Sequence, residues 1–337
     1  MAKIYYDRDV KLDVFEEKNI AVVGYGSQGR HQALNMRDSG LNVIIGQREG
    51  RSYDMAKKDG FDVYSVADAT KKGDLIIITV PDEMHEAIYE GQIRNNLSKG
   101  DTLGVCHAFS LVYGLIKPIP EIDVVMIAPK APGPTVRSTY EEGFGVPSCV
   151  AVYQDYTGDA MEKALAWGKG IGSGRAGMIE TTFKEEVETD LFGEISVLCG
   201  GVVELIKSGF NTLVDAGYQP EIAYFECCNE LKLIVDLIYE GGLENMWDAV
   251  SNTAEYGGRI YGKEIIGEEV KENMRDMLHF IRTGQYGRDV ILEQRTNMNQ
   301  LKRYRELEKD ELIEEVGRRL REMIENVPFS NSKIGDF

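Results

Sequence analysis

Two pairs of acidic residues stand out in an otherwise apolar part of the sequence, and each pair has i, i+4 spacing. Asp190 and Glu194 form the first pair, and Glu226 and Glu230 form the second. On a helix this spacing stacks the two carboxylates of a pair one turn apart on the same face. The four residues are therefore candidate metal ligands.

Apolar residues continue the helix faces on which these carboxylates lie. Val197, Leu233 and Leu237 each follow one of the carboxylates by two helical turns, which predicts that the carboxylates face a core. Carboxylates gathered in a core repel one another, so some must protonate or a cation must lie among them. We expect no His or Cys side chain on these faces, and oxygen ligands alone favour Mg²⁺ over Zn²⁺. The alternative is that these are exposed helix charges, because the chain has 56 acidic residues.

The elements that must position such a site begin with a glycine-rich sequence, G-Y-G-S-Q-G, at residues 24–29. An apolar run over residues 18–24 leads into it, a predicted helix follows to residue 39, and a second buried strand covers residues 41–46. This order is typical of a dinucleotide-binding βαβ unit. Gly24 would permit the tight turn, Gly26 would let a pyrophosphate approach the backbone, and Gly29 would let helix and strand pack closely. The alternative is a plain glycine-rich turn.

The loop after the second strand distinguishes between nicotinamide cofactors. Arg48, Arg51 and Ser52 lie there and could hold a 2′-phosphate through charge-assisted hydrogen bonds, which favours NADPH. Glu49 in the same loop keeps NADH possible, because an acidic residue commonly binds the ribose diol. The alternative is an ordinary solvated loop.

Further strands are predicted over residues 74–80, 102–107, 123–128 and 149–153, and Pro81 is suited to the first turn of a helix. Ligands of open α/β sheets bind at the carboxyl ends of the strands. His107 and Lys130 both fall at such ends, and Gly133 lies in a Pro-Gly-Pro turn that a ligand could approach. A lone His is often structural, so position alone leaves the role of His107 open.

After residue 183 the apolar spacing changes to the helical period, over residues 195–205, 221–239, 267–282 and 308–326. We therefore predict an α/β Rossmann domain over residues 1–183, an all-α domain over residues 184–330 and a mobile tail over residues 331–337. Ser251 is a predicted helix N-cap, and a free helix N-terminus can also bind a carboxylate. Because one small sheet domain cannot cover all the apolar helices, we expect them to pack against a second subunit.

Composition excludes several classes of protein. The net charge of −18 disfavours binding to nucleic acid or anionic lipid, and no apolar run is long enough to span a membrane. The first residues do not resemble a signal peptide. The five cysteines show no C-x-x-C spacing and indicate thiols in a reducing compartment, so we expect a cytoplasmic protein.

Together these sequences resemble the ketol-acid reductoisomerase family in its short (class I) form. The resemblance is carried by residues 24–29, 126–133, 180–185, 188–194, 223–227 and 230–236. It implies a Rossmann domain followed by a knotted helical domain, a homodimer or higher homo-oligomer, NAD(P)H and two Mg²⁺ ions. Three features depart from the family pattern: Arg30 stands where His is common, His85 stands where Gln is common, and the loop over residues 47–52 is unusual.

The resemblance also implies roles for individual residues. Asp190 would bridge both Mg²⁺ ions, Glu194 would hold one, and Glu226 and Glu230 would complete the site from the partner subunit. Ser251 would contact the carboxylate of a 2-keto-acid substrate. His107 and Lys130 match active-site residues, and Glu230 is a candidate proton relay because crowded carboxylates have pKa values pushed apart. The resemblance adds cofactor contacts at Asp82, Glu83, Met84, His85 and Gly133. The other predicted contacts come from the two loops described above and are Gly24, Tyr25, Gly26, Ser27, Gln28, Gly29, Arg48, Arg51 and Ser52.

The implied reaction is alkyl migration in 2-acetolactate or 2-aceto-2-hydroxybutanoate followed by reduction with NAD(P)H, as in valine and isoleucine biosynthesis. The sequence leaves two other classes of protein open. One is a metal-free hydroxyacid dehydrogenase with a helical dimerisation domain, which would keep full activity in EDTA. The other is a non-catalytic NADP-binding regulator, which would bind the cofactor without oxidising it.

Overall fold

The computed structural model describes residues 2–325, so the predicted tail over residues 331–337 lies outside the described residues. The chain divides into two compact units, unit 1 (Met1–Asp190) and unit 2 (Leu191–Phe337). The predicted domain boundary at residue 183 falls seven residues before this division. The difference arises because Glu186 and Val187 are buried in unit 1, which draws the start of the following helix into that unit.

Unit 1 contains a nine-stranded mixed sheet. The strands are β1 (Ile4–Tyr5), β2 (Asn19–Val23), β3 (Asn42–Gly46), β4 (Val63–Tyr64), β5 (Leu75–Ile78), β6 (Thr102–Val105), β7 (Asp123–Pro129), β8 (Ser148–Gln154) and β9 (Met178–Glu180). Their order is β1-β9-β8-β7-β6-β5-β2-β3-β4. The last six strands in this order, from β7 at the middle of the sheet to β4 at its edge, are parallel neighbours. Their order is that of a dinucleotide-binding sheet. The predicted α/β Rossmann class is confirmed.

Helices surround this sheet and cover its apolar strands. They are α1 (Ser27–Asp38), α2 (Arg51–Lys58), α3 (Val66–Lys72), α4 (Asp82–Ile88), α5 (Phe109–Val112), α6 (Gly133–Glu141), α7 (Ala160–Gly170) and α8 (Phe183–Gly193). Strand β5 consists of Leu and Ile residues that are all buried, as expected of a parallel strand covered on both faces. Trp167 of α7 is the largest fully buried side chain of this core.

Unit 2 is helical, which confirms the predicted second half of the fold. After the end of α8, a π-helical turn (Glu194–Leu198) precedes α9, and a second π turn (Phe225–Asn229) separates α10 from α11. The helices are α9 (Gly200–Asp215), α10 (Pro220–Tyr224), α11 (Leu231–Ala249), α12 (Asn252–Ile265), α13 (Glu268–Arg282), α14 (Gln285–Arg295), α15 (Asn299–Glu308) and α16 (Leu312–Glu325). Within residues 2–325, no helix is both long enough and apolar enough to cross a membrane.

The apolar residues of unit 2 are only partly covered in the single chain. Its core cluster is small and consists of Phe210, Ala223, Tyr224, Ile313, Val316 and Leu320. By contrast, Val197 is 50% exposed and Leu233 is 58% exposed. The prediction that the acidic pairs face a core is therefore wrong for one chain: Glu194, Glu226 and Glu230 are exposed, and Asp190 is half-buried. Within residues 2–325, nothing covers the three exposed carboxylates.

Candidate active site

Two adjacent parallel strands end at the same edge of the unit 1 sheet and position the first residues of the site. His107 follows β6 and Lys130 follows β7, and these strands pair in register, with Val105 opposite Met126. Helix α8 then places Glu186 and Asp190 beside both residues. The sequence prediction that His107 and Lys130 lie at carboxyl ends of strands agrees with this arrangement.

Both basic residues pair with both carboxylates. The Nζ of Lys130 lies 3.0 Å from Oε1 of Glu186 and 3.0 Å from Oδ1 of Asp190. The Nδ1 of His107 lies 3.2 Å from Oε2 of Glu186 and 3.6 Å from Oδ2 of Asp190. The four side chains thus form one alternating cluster of positive and negative groups.

Glu186 is the buried centre of this cluster and is 2% exposed. Besides its two basic partners, it accepts a hydrogen bond from the backbone N–H of Ala108 at 3.2 Å. Burial alone would raise the pKa of Glu186, but the hydrogen bond from His107 and the charges of His107 and Lys130 lower it. Glu186 is therefore a carboxylate at neutral pH.

The same contacts favour the charged form of the two basic groups. Burial alone would lower the pKa of His107, but the hydrogen bond to Glu186 and the negative charges of Glu186, Asp82 and Asp190 raise it. Burial opposes the charge of Lys130 as well, yet Glu186 and Asp190 raise the pKa of that ammonium group. The cluster therefore favours the protonated form of His107, and Lys130 remains an ammonium ion.

Glu186 was not identified from the sequence. A signal was present, because Glu186 lies four residues before Asp190 and so extends the acidic face of α8 by one turn. For Asp190, Glu226 and Glu230, an apolar residue two helical turns later indicated a core-facing position. Glu186 has no such residue, and the residues that bind it are distant in sequence.

Asp190 belongs to a group of residues whose ligand atoms could hold a metal ion. Ligand atoms of His107, Glu186 and Asp190 lie within 4.8 Å of one another. The half-exposed Asp190 offers carboxylate oxygens of the hard type that Mg²⁺ prefers, as do the exposed Glu194, Glu226 and Glu230. The expectation that no His lies beside these carboxylates is wrong, because His107 follows a strand end that sequence spacing did not relate to α8.

A cavity of about 630 Å³ lies beside the glycine-rich loop in unit 1. Six predicted cofactor residues line it: Gly24, Tyr25, Gly26, Arg48, Ser52 and Met84. Glu49 and Gln47 also line it, so the cavity reaches from the glycine-rich loop to the loop that was predicted to distinguish NADPH from NADH. Its size and lining fit a dinucleotide bound across the carboxyl edge of the sheet.

The three glycines of the loop have different surroundings. Gly24 has φ +100°, a conformation that other residues rarely adopt. A Cβ on Gly29 would lie 2.4 Å from Thr79 Oγ1 and 2.5 Å from the Gly24 carbonyl oxygen, so Gly29 is required for packing. A Cβ on Gly26 would have no atom within 4 Å, which leaves open space where a pyrophosphate could approach.

The other predicted cofactor residues lie outside the lining of this cavity. Ser27, Gln28 and Gly29 form the first turn of α1, and Arg51 is the exposed first residue of α2. Asp82, Glu83 and His85 belong to α4, and His85 is buried between the hydroxyl of Ser110 and the carbonyl of Val80. Gly133 packs so closely on Ser27 that a Cβ would lie 2.1 Å from the Ser27 carbonyl oxygen. Cofactor contacts at these positions stay predictions.

In unit 2, Ser251 is the N-cap of α12, as predicted. Its hydroxyl accepts a hydrogen bond from the backbone N–H of Ala254 at 3.2 Å, and the residue is exposed. The substrate contact assigned to Ser251 stays a prediction.

Comparison with known proteins gives matches along nearly the whole chain. Residues 14–177 match the model of the acetohydroxy acid isomeroreductase NADPH-binding domain, and residues 183–326 match that of the ketol-acid reductoisomerase C-terminal domain. A ketol-acid reductoisomerase (NADP(+)) of Methanocaldococcus jannaschii is 54% identical over 324 residues, which cover 96% of this chain and 98% of the relative. Its counterpart in Methanococcus maripaludis is 54% identical over 322 residues, covering 95% of this chain and 98% of the relative.

A solved structure is similar to the same extent. It is an NADH-preferring ketol-acid reductoisomerase from an uncultured archaeon, with 46% sequence identity and a TM-score of 0.92. The match covers 95% of this chain and 99% of the other. Relatives named for NADP(+) and a relative that prefers NADH are therefore both similar to this chain.

Proposed function

This chain belongs to the ketol-acid reductoisomerase family, and we propose that its strand-end cluster and its acidic pairs carry out the reaction. The chain is an NAD(P)H-dependent oxidoreductase with an isomerase step. It converts 2-acetolactate, or 2-aceto-2-hydroxybutanoate, to 2,3-dihydroxy-3-methylbutanoate or its ethyl homologue in valine and isoleucine biosynthesis. The observation that supports our assignment of residues is the cluster of His107, Lys130, Glu186 and Asp190 at the carboxyl edge of the sheet.

The proposed Mg²⁺ ligands are Asp190, Glu194 and, from the partner subunit, Glu226 and Glu230. Asp190 would help to hold both ions. When bound, Mg²⁺ lowers the pKa of the substrate hydroxyl and polarises the neighbouring ketone. The carboxylates of unit 2 are exposed and Asp190 is half-buried, so each can present an oxygen atom to a metal ion. This accessibility supports the assignment.

The protein residues have separate tasks in this account. Lys130 and His107 hold Glu186 and Asp190 in place and place positive charge where the hydroxyl loses its proton. Loss of that proton allows the alkyl group to move to the adjacent carbon with its bonding electrons, which leaves a ketone at the carbon it departs. The former ketone oxygen takes up a proton and becomes a hydroxyl. The new ketone becomes an alcohol by gaining one hydride, which NAD(P)H would supply, and one further proton. Glu230 is the proposed proton relay and Ser251 the proposed contact for the substrate carboxylate.

We propose NADPH as the preferred cofactor, with NADH possible. Arg48 and Ser52 line the cavity at the position expected for a 2′-phosphate, and Arg51 opens α2 next to them. Gly50, with φ +138°, permits the turn that precedes α2. Glu49 lines the same cavity and is the feature that supports NADH binding.

We further propose that the chain forms a homodimer or higher homo-oligomer in the cytoplasm. The exposed apolar residues of unit 2, such as Leu198, Leu243 and Ile260, support a subunit interface. The cysteines are free thiols throughout the described residues, as expected in a reducing compartment. Light scattering of the purified protein at the mass of one chain would contradict the oligomer.

The test of this function compares NADPH and NADH oxidation on 2-acetolactate with Mg²⁺ and with EDTA. We expect turnover with Mg²⁺, none in EDTA, and a lower KM for NADPH than for NADH. Full activity in EDTA would instead support a metal-free hydroxyacid dehydrogenase. Cofactor binding without oxidation would support a regulator.

A further inference from the structure

We propose that Gln28 and Gln32 form a positioning relay that ties the nucleotide-binding helix α1 to the backbone on which Lys130 and His107 stand. This inference rests on the function proposed above, because it concerns how the residues of that reaction are held. Neither glutamine needs to touch the substrate or the cofactor with its side chain.

The relay is a continuous series of hydrogen bonds. The indole N–H of Trp167 donates to Oε1 of Gln32 at 3.1 Å, and Nε2 of Gln32 donates to Oε1 of Gln28 at 2.9 Å. Nε2 of Gln28 then donates to the carbonyl oxygen of Ala131 at 3.0 Å. Nε2 of Gln32 also donates to Sγ of Cys106 at 3.3 Å. Hydrogen bonds in such a series polarise one another, so the series behaves as a unit.

The partners at the two ends fix the orientation of both amides. An indole N–H can only donate, so the oxygen of Gln32 must face Trp167. A backbone carbonyl can only accept, so the nitrogen of Gln28 must face Ala131. Only one arrangement of the two amides satisfies both ends. Gln32 is fully buried, and breaking this arrangement would leave polar atoms without partners in the core.

Both branches of the relay end next to a reacting residue. Ala131 follows Lys130 directly, and Cys106 precedes His107 directly. Strand β6 ends before Cys106 and β7 ends before Lys130. The backbone N–H of Lys130 still donates to the carbonyl oxygen of Pro147 at 2.9 Å, and the bond from Gln28 restrains the next residue, Ala131. A displacement of about 1 Å in a catalytic group can lower a rate roughly 100-fold, so these two bonds matter for turnover.

The simpler interpretation is that the buried glutamines only dock α1 onto the sheet. Asn35 separates the two interpretations, because it lies on the same helix and is also fully buried. Its Nδ2 donates to the carbonyl oxygens of Val136 and Ile171, each at 3.1 Å, and neither partner adjoins His107 or Lys130. Asn35 is therefore a matched residue that docks the helix without joining the relay.

The experiment compares Gln32→Met with Asn35→Leu, which each replace a buried amide with an apolar side chain of similar length. For both variants we would measure the thermal midpoint, the NADPH dissociation constant and the steady-state constants with 2-acetolactate and Mg²⁺. We expect similar losses of thermal stability. We expect kcat of Q32M to fall by roughly 10-fold or more with an NADPH dissociation constant within about twofold of wild type, and kcat of N35L to stay within about twofold.

Equal kcat values for Q32M, N35L and the wild type would overturn the relay while leaving the proposed function intact. A wild-type enzyme that does not turn over would overturn the proposed function and the relay with it. If Q32M does not fold, Gln28→Met gives the same test. Gln28 is only half-buried, and this change removes its hydrogen bonds with Ala131 and Gln32 while leaving those of Gln32 with Trp167 and Cys106. Because Gln28 is also a predicted cofactor contact, kcat of Q28M would be measured at saturating NADPH. An unchanged kcat under these conditions would overturn the relay, and a loss of kcat would support it.

Discussion

The ammonium group of Lys130 lies 3.0 Å from a carboxylate oxygen of Glu186, a residue that is almost completely buried. The other oxygen of Glu186 accepts a hydrogen bond from the backbone N–H of Ala108 and pairs with the imidazole of His107. One buried carboxylate therefore fixes both basic groups at the ends of two neighbouring strands. A buried charge with three partners is costly to disturb, because removing it leaves the partner charges uncompensated.

Replacing Glu186 with Gln tests this relationship. The amide is similar in size but carries no charge, so His107 and Lys130 lose the partner that holds them. We expect kcat to fall by roughly 100-fold, with the NADPH dissociation constant little changed. Glu185→Gln is the matched control, since Glu185 is the exposed neighbour on α8. Normal turnover in E186Q would show that the buried carboxylate is not needed for the reaction.

The glycine-rich loop gives a second prediction from two neighbouring glycines. In Gly26→Ala the new methyl group enters open space, so we expect wild-type thermal stability but an NADPH dissociation constant raised roughly 10- to 100-fold. In Gly29→Ala the methyl group meets Thr79 and the Gly24 carbonyl, so we expect the thermal midpoint to fall by several degrees, about 2–4 °C per kcal/mol lost. Calorimetry and a fluorescence titration with NADPH measure the two effects. Unchanged NADPH affinity in G26A would argue against a pyrophosphate at this position.

Cofactor preference should depend on the loop after β3. Arg48→Ala combined with Ser52→Ala removes the proposed partners of the 2′-phosphate. We expect KM for NADPH to rise roughly 10- to 100-fold while KM for NADH changes little. Lys58→Ala, in the last turn of α2, is the control for a general loss of positive charge. Equal increases in both KM values would contradict recognition of the 2′-phosphate.

Asp101 gives a prediction about stability and pH. Burial and the charge of Asp74 raise the pKa of Asp101 from 3.8 to about 6. The folded state therefore binds this proton more tightly than the unfolded state, so stability falls as pH rises from about 4 to about 6. Since water still reaches the group, we expect Asp101→Asn to stabilise the protein by about 1 kcal/mol at pH 7.5 and by less at pH 5.

Thermal unfolding at the two pH values measures this difference. Asp62→Asn, at an exposed position of unit 1, is the control for loss of one negative charge. If D101N were stabilised equally at both pH values, the raised pKa of Asp101 would not be the cause.

The parallel strands of unit 1 were predictable because their apolar runs are bounded by glycines and polar residues. The short strands β1 and β4 were missed, since two residues carry no periodic pattern. In unit 2 the single helix predicted over residues 221–239 is instead α10, a π turn and α11, because the apolar spacing does not show where an extra residue enters the helix. Local pattern thus reports the type of an element better than its continuity.

Part of the site was also predictable. His107 and Lys130 were identified by the rule that ligands bind at strand ends, and this rule depends only on the order of elements. Glu186 was missed because its partners come from β6 and β7, far away in sequence, and only the folded chain brings them to α8. The predicted core around Glu226 and Glu230 was wrong for one chain, because sequence spacing does not distinguish a core from a face that awaits another subunit.

The most direct test of the central claim is the activity of Asp190→Asn and Glu194→Gln in Mg²⁺ with NADPH, beside Glu185→Gln as the control on the same helix. We expect both variants to bind NADPH with wild-type affinity but to lose isomerisation of 2-acetolactate, while the control remains active. Wild-type turnover of 2-acetolactate by D190N or E194Q would contradict the assignment of these carboxylates as the metal site of the reaction.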